Sequence, residues 1–286
     1  MKRSAWIEQN IPRPDGWRIA VTGSTGGLGG ALCRLFAARG ASLLLLDRNR
    51  EKQAAHIETL RAAHPTARIE GRVLDLADPA SVTALAAEDV GVIDVLIHNA
   101  GAYRLARKVG KWGADAAFEI DALAPLALTK ALLPSLKASK NGRVVAVSSI
   151  AARLAKTDEK DPDYRTRRSQ MKVYGNAKRT FTAALLAFGE REGVTVSLAH
   201  PGISQTGIVA GYPAAFRAVA EPAMRLLFPS PEDACLPIAL AAVSPTPHGF
   251  WYAPNVLDVW GRPALRPLPI PKEEWEKALE ILENMI

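Results

Sequence analysis

Thr22-Gly23-Ser24-Thr25-Gly26-Gly27-Leu28-Gly29 follows the short apolar run Ile19-Ala20-Val21 and precedes Ala31 to Ala38, where apolar side chains recur on one helical face. The pattern predicts a strand, a turn and a helix. Gly23 permits a tight turn, Gly27 leaves room for a pyrophosphate against the main chain, and Gly29 allows close packing of the helix. The stretch therefore predicts a dinucleotide site, with a purely structural glycine turn as the alternative.

A second motif, Tyr174-Gly175-Asn176-Ala177-Lys178, follows about 150 residues later. A tyrosine and a lysine one helical turn apart lie on the same helix face, so the ammonium can hold the pKa of the phenol below its usual value of about 10. Such a phenol can exchange protons with an alcohol or a carbonyl. By itself the pair would more often be two surface side chains, but after a dinucleotide turn it indicates an oxidoreductase.

The Gly-x-x-x-Gly-x-Gly spacing, together with Tyr174 and Lys178, resembles the short-chain dehydrogenase/reductase family, and the resemblance runs from about Trp6 to about Thr206. It implies a single-domain α/β fold of the Rossmann type over residues 1–286, a doubly wound parallel sheet with helices on both faces. The alternation of strand-like and helix-like segments favours the same sheet. The chain is 286 residues long and 48% hydrophobic, enough for one substantial core.

The resemblance also implies roles for single residues. Ser149, Tyr174 and Lys178 match the catalytic positions, with Ser148 as second choice for the serine. Asp121 stands where the family usually has Asn beside the lysine, and we include it in the catalytic set. The cofactor-binding positions implied are Gly23, Ser24, Thr25, Gly27, Leu28, Gly29, Asp47, Arg48, Asp75, Leu76, Asn99, Ala100, Gly101, Tyr174, Lys178, Pro201, Gly202 and Thr206. No metal site is expected.

Asp121 departs from the family pattern. A carboxylate near Lys178 would favour the charged ammonium and so alter the proton relay. The alternative is a solvated surface acid. If the relay is impaired, the chain could be a non-catalytic dinucleotide-binding regulator or scaffold, a reading that the joint presence of Ser149, Tyr174 and Lys178 opposes.

Cofactor choice depends on the end of the second expected strand. An acid such as Asp47 accepts hydrogen bonds from the 2′-hydroxyl of the ribose and repels a 2′-phosphate, which favours NAD(H). The adjacent Arg48 could partly reverse this preference, so NADP(H) stays the alternative. Arg48 and Arg50 could equally form the solvated start of the next helix.

The gap of 25 positions from Ser149 to Tyr174 is longer than in compact members of the family. Its charged segment, residues 156–168, predicts a surface loop, either a solvated connection or a contact for substrate. This longer gap is similar to that of the retinol-dehydrogenase-like and protochlorophyllide-reductase-like branch of the family. Two further features resemble the same branch, namely the His200-Pro201-Gly202 triplet and the lead-in from Trp6 to Trp17.

The apolar stretch at about 203–230 is equivalent to the segment that covers the substrate in the family, which favours an apolar ketone or secondary alcohol as substrate. Ordinary core or an oligomer interface are the alternatives. Residues 272–286 predict an amphipathic helix that packs on the body or on a partner subunit, which would suit a homo-oligomer.

The net charge of +7 comes from basic residues scattered among acids, which argues against a nucleic-acid partner. Only two cysteines occur, so a disulfide framework is not expected. No apolar run approaches the roughly 18 residues of a membrane span. We therefore expect a cytoplasmic protein without an integral membrane segment.

Overall fold

The computed structural model describes residues 2–103, 108–167, 169–203 and 227–286. Eight strands form one sheet in the order β3-β2-β1-β4-β5-β6-β7-β8. The strands are β1 (Arg18–Thr22), β2 (Ser42–Asp47), β3 (Ile69–Val73), β4 (Val95–His98), β5 (Arg143–Val147), β6 (Thr195–Ala199), β7 (Phe250–Val256) and β8 (Trp260–Pro267). The helices are α1 (Arg3–Asn10), α2 (Gly27–Ala37), α3 (Arg50–Ala63), α4 (Pro79–Ala86), α5 (Ala116–Phe118), α6 (Ala124–Ala131), α7 (Leu133–Lys137), α8 (Gln170–Glu192), α9 (Pro231–Ala234), α10 (Leu236–Val243) and α11 (Trp275–Met285).

The sheet is parallel from β3 through β7, as the sequence predicted. Successive side chains of each strand point to opposite faces, so both faces need apolar cover. Leu44 and Leu96 pack into the core on one face with α6, α8 and α11. Their neighbours Leu45 and Ile97 pack into the core on the other face with α2 and α10. The predicted doubly wound α/β fold is confirmed.

The strand order reverses between β1 and β4, which lie side by side in the sheet. In open α/β sheets, ligands bind outside the carboxyl ends of the strands at such a switch point. The turn after β1 and the turn after β4 are therefore neighbours. A Cβ placed on Gly23 would lie 3.0 Å from the Cα of Ala100, which shows how closely the two turns approach.

Two differences from the sequence-based expectation concern helix and strand ends. Helix α2 begins at Gly27 rather than near Ala31, so the last glycines of the motif lie within its first turn. The final strand, β8, runs antiparallel to β7 and adds a hairpin that the sequence did not predict. Leu257 and Asp258 form its turn with φ of 52° and 55°, and the Val259 N–H donates to the Val256 carbonyl at 3.0 Å. Asn and Gly are the usual residues in such turns, so Leu257-Asp258 gives little sequence signal.

The inserted segment after Ser149 is largely exposed, but its middle is anchored on the body of the protein. Tyr164 is 6% exposed, and its phenol hydrogen-bonds the main chain of Lys156. The Asp115 N–H donates to Asp163 at 2.8 Å, and the Asn176 amide donates to the Pro162 carbonyl at 2.7 Å. The prediction of a surface loop agrees with the exposed residues of this segment, but Asp163 and Tyr164 are buried, because these contacts fasten them to α5 and α8.

The chain ends in α11, preceded by a 3-10 turn over Lys272–Glu274, in the region where the sequence predicts an amphipathic helix. Its apolar face packs on α8. Glu274 receives two hydrogen bonds from the buried guanidinium of Arg179, at 2.6 and 2.8 Å. The same guanidinium donates to the Ala152 carbonyl at 3.1 Å, which ties the C-terminal region to the turn after Ser149.

Candidate dinucleotide and catalytic site

The conformation of the glycine-rich turn after β1 is fixed by packing within the turn and by hydrogen bonds from the residues that follow β4. A Cβ on Gly29 would stand 2.2 Å from the Gly23 carbonyl oxygen, so only glycine fits there. The Asn99 amide donates to the carbonyls of Thr22 and Gly23 at 2.9 and 3.1 Å. The Thr22 hydroxyl in turn accepts from the N–H groups of Asn99 and Ala100. The result is a backbone cradle at the N-terminus of α2, a setting suited to a pyrophosphate.

Asp47 ends β2 beside this cradle and is buried. Its carboxylate accepts from the Ser24 hydroxyl, and from the N–H and hydroxyl of Thr25 at 3.0 and 2.9 Å. Asp47 therefore fastens the glycine-rich turn, a role that the sequence did not suggest. Arg48 is exposed, and no ion pair is recorded for it within the described part of the chain.

Tyr174 and Lys178 lie on α8, which runs for 23 residues between the N-cap Ser169 and the left-handed C-cap Gly193. The spacing places the Lys178 Nζ 5.8 Å from the centroid of the Tyr174 ring. Ser149 stands at the end of β5 and caps the next turn, its hydroxyl accepting the Ala151 N–H at 3.2 Å. The turn after Ser149 packs on α8, so the fold brings the three predicted catalytic side chains to one place.

Ser148 points away from this group. It is buried, and its hydroxyl lies 2.9 Å from the Thr182 hydroxyl, which donates its one proton to the Lys178 carbonyl at 2.6 Å. Successive residues of a strand face opposite sides, so Ser149 and Ser148 cannot share the same role. The choice of Ser149 over Ser148 thus agrees with the geometry.

Asp121 forms a buried ion pair with Lys178, with 3.0 Å between Oδ1 and Nζ. Both side chains are almost fully buried, 0% and 6% exposed. The Asp121 carboxylate also accepts the Ala102 N–H at 3.1 Å, which links Lys178 to the turn after β4. Gly101 lies so close that its Cβ would meet Asp121 Oδ1 at 2.7 Å. A solvated surface acid, the alternative for Asp121, is excluded.

A π-helical turn, Glu119–Leu123, delivers Asp121. Within it, the Ala124 N–H donates to the Glu119 carbonyl five residues earlier. Pro125 has no N–H for the Asp121 carbonyl four residues before it, so a regular α-helical ladder cannot pass this point. Single π turns of this kind are frequent at functional sites.

The protonation properties follow from burial and from this ion pair. Burial raises the pKa of Tyr174, the Asp121 charge adds to the rise, and Lys178 and Ser149 act against it. Burial lowers the pKa of Lys178, but the Asp121 carboxylate and the Tyr174 phenol outweigh that effect, so it stands above its usual value. Lys178 does act to lower the pKa of the phenol, but the prediction that it holds this pKa below the usual value is wrong. Desolvation and Asp121 outweigh the ammonium.

Tyr103 was missed by the sequence reasoning. Its ring meets the Tyr174 ring edge to face, with centroids 5.3 Å apart and planes at 71°. It follows Asn99-Ala100-Gly101 by two residues, and that closeness to the motif is the only sequence signal for it. The contact helps to bury the phenol.

Some of the remaining predicted cofactor-binding positions lie within the described residues, and others lie outside them. Pro201 and Gly202 follow β6 at the carboxyl edge of the sheet, and Asp75 and Leu76 follow β3 at the same edge. Thr206 and most of the predicted lid at about 203–230 lie outside the described residues. Among the residues that the structure describes, no group of three or more His, Cys, Asp or Glu side chains is arranged to hold a metal ion.

Gly175 sets the distance between the helix and the serine turn, which gives a first prediction. A Cβ there would meet the Ala151 carbonyl oxygen at 2.2 Å. Gly175→Ala should therefore lower the free energy of unfolding by about 1–3 kcal/mol, because the turn must shift. Urea denaturation measures this. An Ala in an ordinary helix position would stabilise the protein instead, so an unchanged or higher stability would contradict the packing described.

Comparison with known proteins agrees with this architecture. The profile of the family described as short chain dehydrogenase matches residues 18–215. Retinol dehydrogenase 13 from Homo sapiens is 32% identical over 67% of this chain and 60% of its own length. Dehydrogenase/reductase SDR family member 7B from Mus musculus is 34% identical over 66% of this chain and 58% of its own length. The chain thus spans about three fifths of the length of these two relatives.

Solved structures show the same fold. An uncharacterized protein from Mycobacterium paratuberculosis has a TM-score of 0.75 at 23% identity, over 97% of this chain and 96% of that chain. A short chain dehydrogenase from Shigella flexneri 2a complexed with NADP has a TM-score of 0.60 at 25% identity, over 82% and 93%. One from Burkholderia phymatum in complex with NAD has a TM-score of 0.59 at 22% identity, over 81% and 87%.

The named relatives confirm the predicted resemblance to the retinol-dehydrogenase-like branch. The family profile covers the glycine-rich turn, Asp121, Ser149 and the Tyr174/Lys178 pair. The chain belongs to the short-chain dehydrogenase family.

Proposed function

We propose that this protein is a nicotinamide-dinucleotide-dependent oxidoreductase that acts on an apolar ketone or secondary alcohol. The observation that supports it most is the grouping of Ser149, Tyr174 and Lys178 beside the backbone cradle at the β1/β4 switch point. The cradle fits a dinucleotide, because Gly23 and Gly29 let the turn pack tightly on its own main chain and so present the N-terminus of α2 to a pyrophosphate. When bound, the cofactor supplies or accepts the hydride at the substrate carbon.

The chain's own residues handle the proton. In the reductive direction, the Ser149 hydroxyl hydrogen-bonds the substrate oxygen and orients it. The Tyr174 phenol gives its proton to that oxygen as the carbon receives the hydride, and a phenolate remains. The Lys178 ammonium stabilises the phenolate, and Asp121 keeps Lys178 charged and fixed in place. In the oxidative direction the phenolate takes the proton back.

A direct assay tests this proposal. Absorbance at the reduced-nicotinamide band is followed with NADH and with NADPH over a panel of apolar ketones, and with the oxidised cofactors over the matching alcohols. Turnover that depends on Tyr174 would support the oxidoreductase. Tight dinucleotide binding without turnover on the whole panel would contradict it.

The second candidate is a dinucleotide-binding regulator without turnover, and the Asp121–Lys178 ion pair is the observation that favours it. A buried carboxylate that engages the lysine and raises the pKa of Tyr174 makes the phenolate harder to form. If Asp121→Asn gains turnover that the wild type lacks, the regulator becomes the better description.

For the cofactor we propose NAD(H), because Asp47 ends β2 beside the cradle, and an acid at this position would repel the 2′-phosphate of NADP(H). Arg48 is the competing feature, since its exposed guanidinium could pair with that phosphate. We expect NADH to bind more tightly than NADPH. Arg48→Ala should leave NADH binding nearly unchanged and weaken NADPH binding by roughly tenfold, because a charge-assisted hydrogen bond is lost.

Titration of both reduced cofactors by their fluorescence measures these affinities. Arg50→Ala is the matched control, since Arg50 is also exposed and begins α3. Tighter binding of NADPH by the wild type, together with loss of that preference in Arg48→Ala but not in Arg50→Ala, would show that the proposal of NAD(H) is wrong.

Location and assembly stay predictions. No helix in the described ranges has both the length and the apolar content to cross a bilayer. The cytoplasmic location and the homo-oligomer inferred from the sequence are checked by fractionation and by sedimentation of the purified chain.

A further inference from the structure

The hairpin of β7 and β8 returns to the carboxyl edge of the sheet and contacts both flanks of the site. On one flank, Arg153, four residues after Ser149, pairs with Asp258 in the hairpin turn at 2.7 Å. On the other flank, a Cβ on Gly202 would meet the Val259 carbonyl oxygen at 2.6 Å. The hairpin turn therefore lies next to the serine turn and next to the segment that follows β6.

The hairpin also contacts the chain where it resumes after residue 226. The Trp260 indole N–H donates to the Leu227 carbonyl at 2.8 Å. The Trp260 ring stacks on Phe228, with ring centroids 6.2 Å apart. Gly202, just before the segment predicted to cover the substrate, and Leu227, near the end of that segment, thus pack against the same hairpin.

The position of the hairpin turn is fixed by charge. Asp258 is 2% exposed and binds a second guanidinium, that of Arg266, at 3.2 Å. Pairing with two arginines compensates the cost of burying the carboxylate. Next to Asp258, the backbone of Leu257 has a positive φ, a conformation that residues with bulky side chains rarely adopt.

An apolar rim results, which we define as Leu154, Val256, Leu257 and Trp260. All four side chains are exposed, and Leu257 reaches 75%. Val256 and Trp260 face each other across the hairpin. Leu154 directly follows Arg153, whose guanidinium forms the ion pair with Asp258 in the hairpin turn. An exposed cluster of large apolar side chains is a common mark of a binding surface.

We propose that this rim, with Leu257 as its main contact, binds the apolar chain of the substrate and determines which chain lengths are accepted. The proposal rests on the proposed function, since it assigns the substrate wall of that same site. Two observations favour substrate over another protein as the occupant. The rim adjoins the Ser149 turn, and the Arg153–Asp258 ion pair joins the hairpin turn to that same Ser149 turn.

Leu257→Asn tests the proposal, because it should weaken the binding of long ketones without lowering the stability of the protein. Asn tolerates positive φ, so the thermal midpoint should stay level or rise. In the wild type, kcat/KM should rise about fourfold per methylene along a series of unbranched methyl ketones until the rim is covered. In Leu257→Asn this slope should flatten, with KM for the longest ketone raised roughly tenfold.

Val92→Asn is the matched control, because Val92 is exposed and lies at the opposite, amino-terminal edge of β4. The same ketone series is also titrated against tryptophan fluorescence, with Trp260→Phe to assign the signal. This binding readout separates the two proposals. Chain-length-dependent quenching that Leu257→Asn weakens supports the rim even if no ketone turns over, in which case only the proposed function fails.

Equal chain-length dependence in the wild type, Leu257→Asn and Val92→Asn, by both readouts, would overturn the assignment. A change of sedimentation in Leu257→Asn without any change in ketone binding would also overturn it, and would make the rim a contact between copies of this chain.

Discussion

Replacing Tyr174 by Phe is expected to lower kcat by about a hundred- to ten-thousand-fold, the usual contribution of a positioned acid/base group. The substitution removes one hydroxyl and keeps the ring that packs against Tyr103. Neither the glycine-rich cradle nor the Asp121–Lys178 pair depends on the phenol, so the fold and dinucleotide binding should persist. Turnover and cofactor titration, measured on the same preparation, separate loss of chemistry from loss of binding.

The pH dependence gives a second measure of the same group. Burial raises the pKa of Tyr174 above its ordinary value of 10.0. The phenol therefore stays protonated through the neutral range, and if it is the proton donor, as proposed, the rate of ketone reduction should fall only as the pH rises past that raised pKa. Alcohol oxidation needs the phenolate and should rise with pH over the same interval.

Tyr103→Phe is the control for Tyr174→Phe, because it deletes a hydroxyl from the adjoining ring and keeps the edge-to-face contact. Its turnover should stay close to that of the wild type. If the two variants lose activity to the same extent, Tyr174 is not the proton donor and the assignment of the acid/base must be revised.

Much of this architecture could be predicted from the sequence, because local patterns determine it. The apolar runs of β1, β2 and β4 and the glycines after β1 fix the strands, the turn and the ligand edge together. The four-residue spacing of Tyr174 and Lys178 fixes their common helix face. Strand alternation alone distinguishes Ser149 from Ser148.

Other features depend on contacts between distant parts of the chain. The hydrogen-bond partners of Asp47 are Ser24 and Thr25, more than 20 positions away in the sequence. The sequence of β2 alone therefore cannot predict that Asp47 fastens the glycine-rich turn. The net effect on the pKa of Tyr174 depends on burial, which no local pattern specifies. The turn at Leu257-Asp258 is stabilised by Arg153 and Arg266 rather than by residues with a turn preference.

Asp121→Asn has the largest expected effect on stability. The change leaves the Lys178 ammonium buried without its carboxylate partner, 3.0 Å away in the wild type. Breaking a buried pair from one side costs about 3–5 kcal/mol. The amide oxygen of Asn can still accept the Ala102 N–H, so the turn after β4 should keep its place. Urea denaturation at neutral pH measures the loss.

The sign of the pH dependence identifies the cause. In the wild type the pKa of Lys178 is raised above 10.5, so its contribution to stability is complete below about that pH and is lost as the pH rises through the folded pKa. In Asp121→Asn only Tyr174 is left to oppose burial, so the pKa of Lys178 should fall below its usual value. The unfolded variant then binds more protons than the folded one as the pH approaches 10.5, so its stability should recover and the deficit should shrink.

A double-mutant cycle completes the argument. Lys178→Met removes the ammonium, and Asp121→Asn together with Lys178→Met should be less destabilised than the sum of the two single variants, because no uncompensated charge remains. A deficit that is additive and constant with pH would mean that Asp121 acts through packing alone.

Asp121→Asn also bears on catalysis, because the Asp121 charge raises the pKa of Tyr174. With that charge removed, the rise of alcohol oxidation with pH should begin at a lower pH, while ketone reduction should begin to decline at a lower pH as well. The pH profiles of oxidation and reduction should therefore both shift to lower pH. An unmoved profile would show that Asp121 positions Lys178 without tuning the phenol, and its carboxylate would then serve the stability of the site rather than the proton transfer.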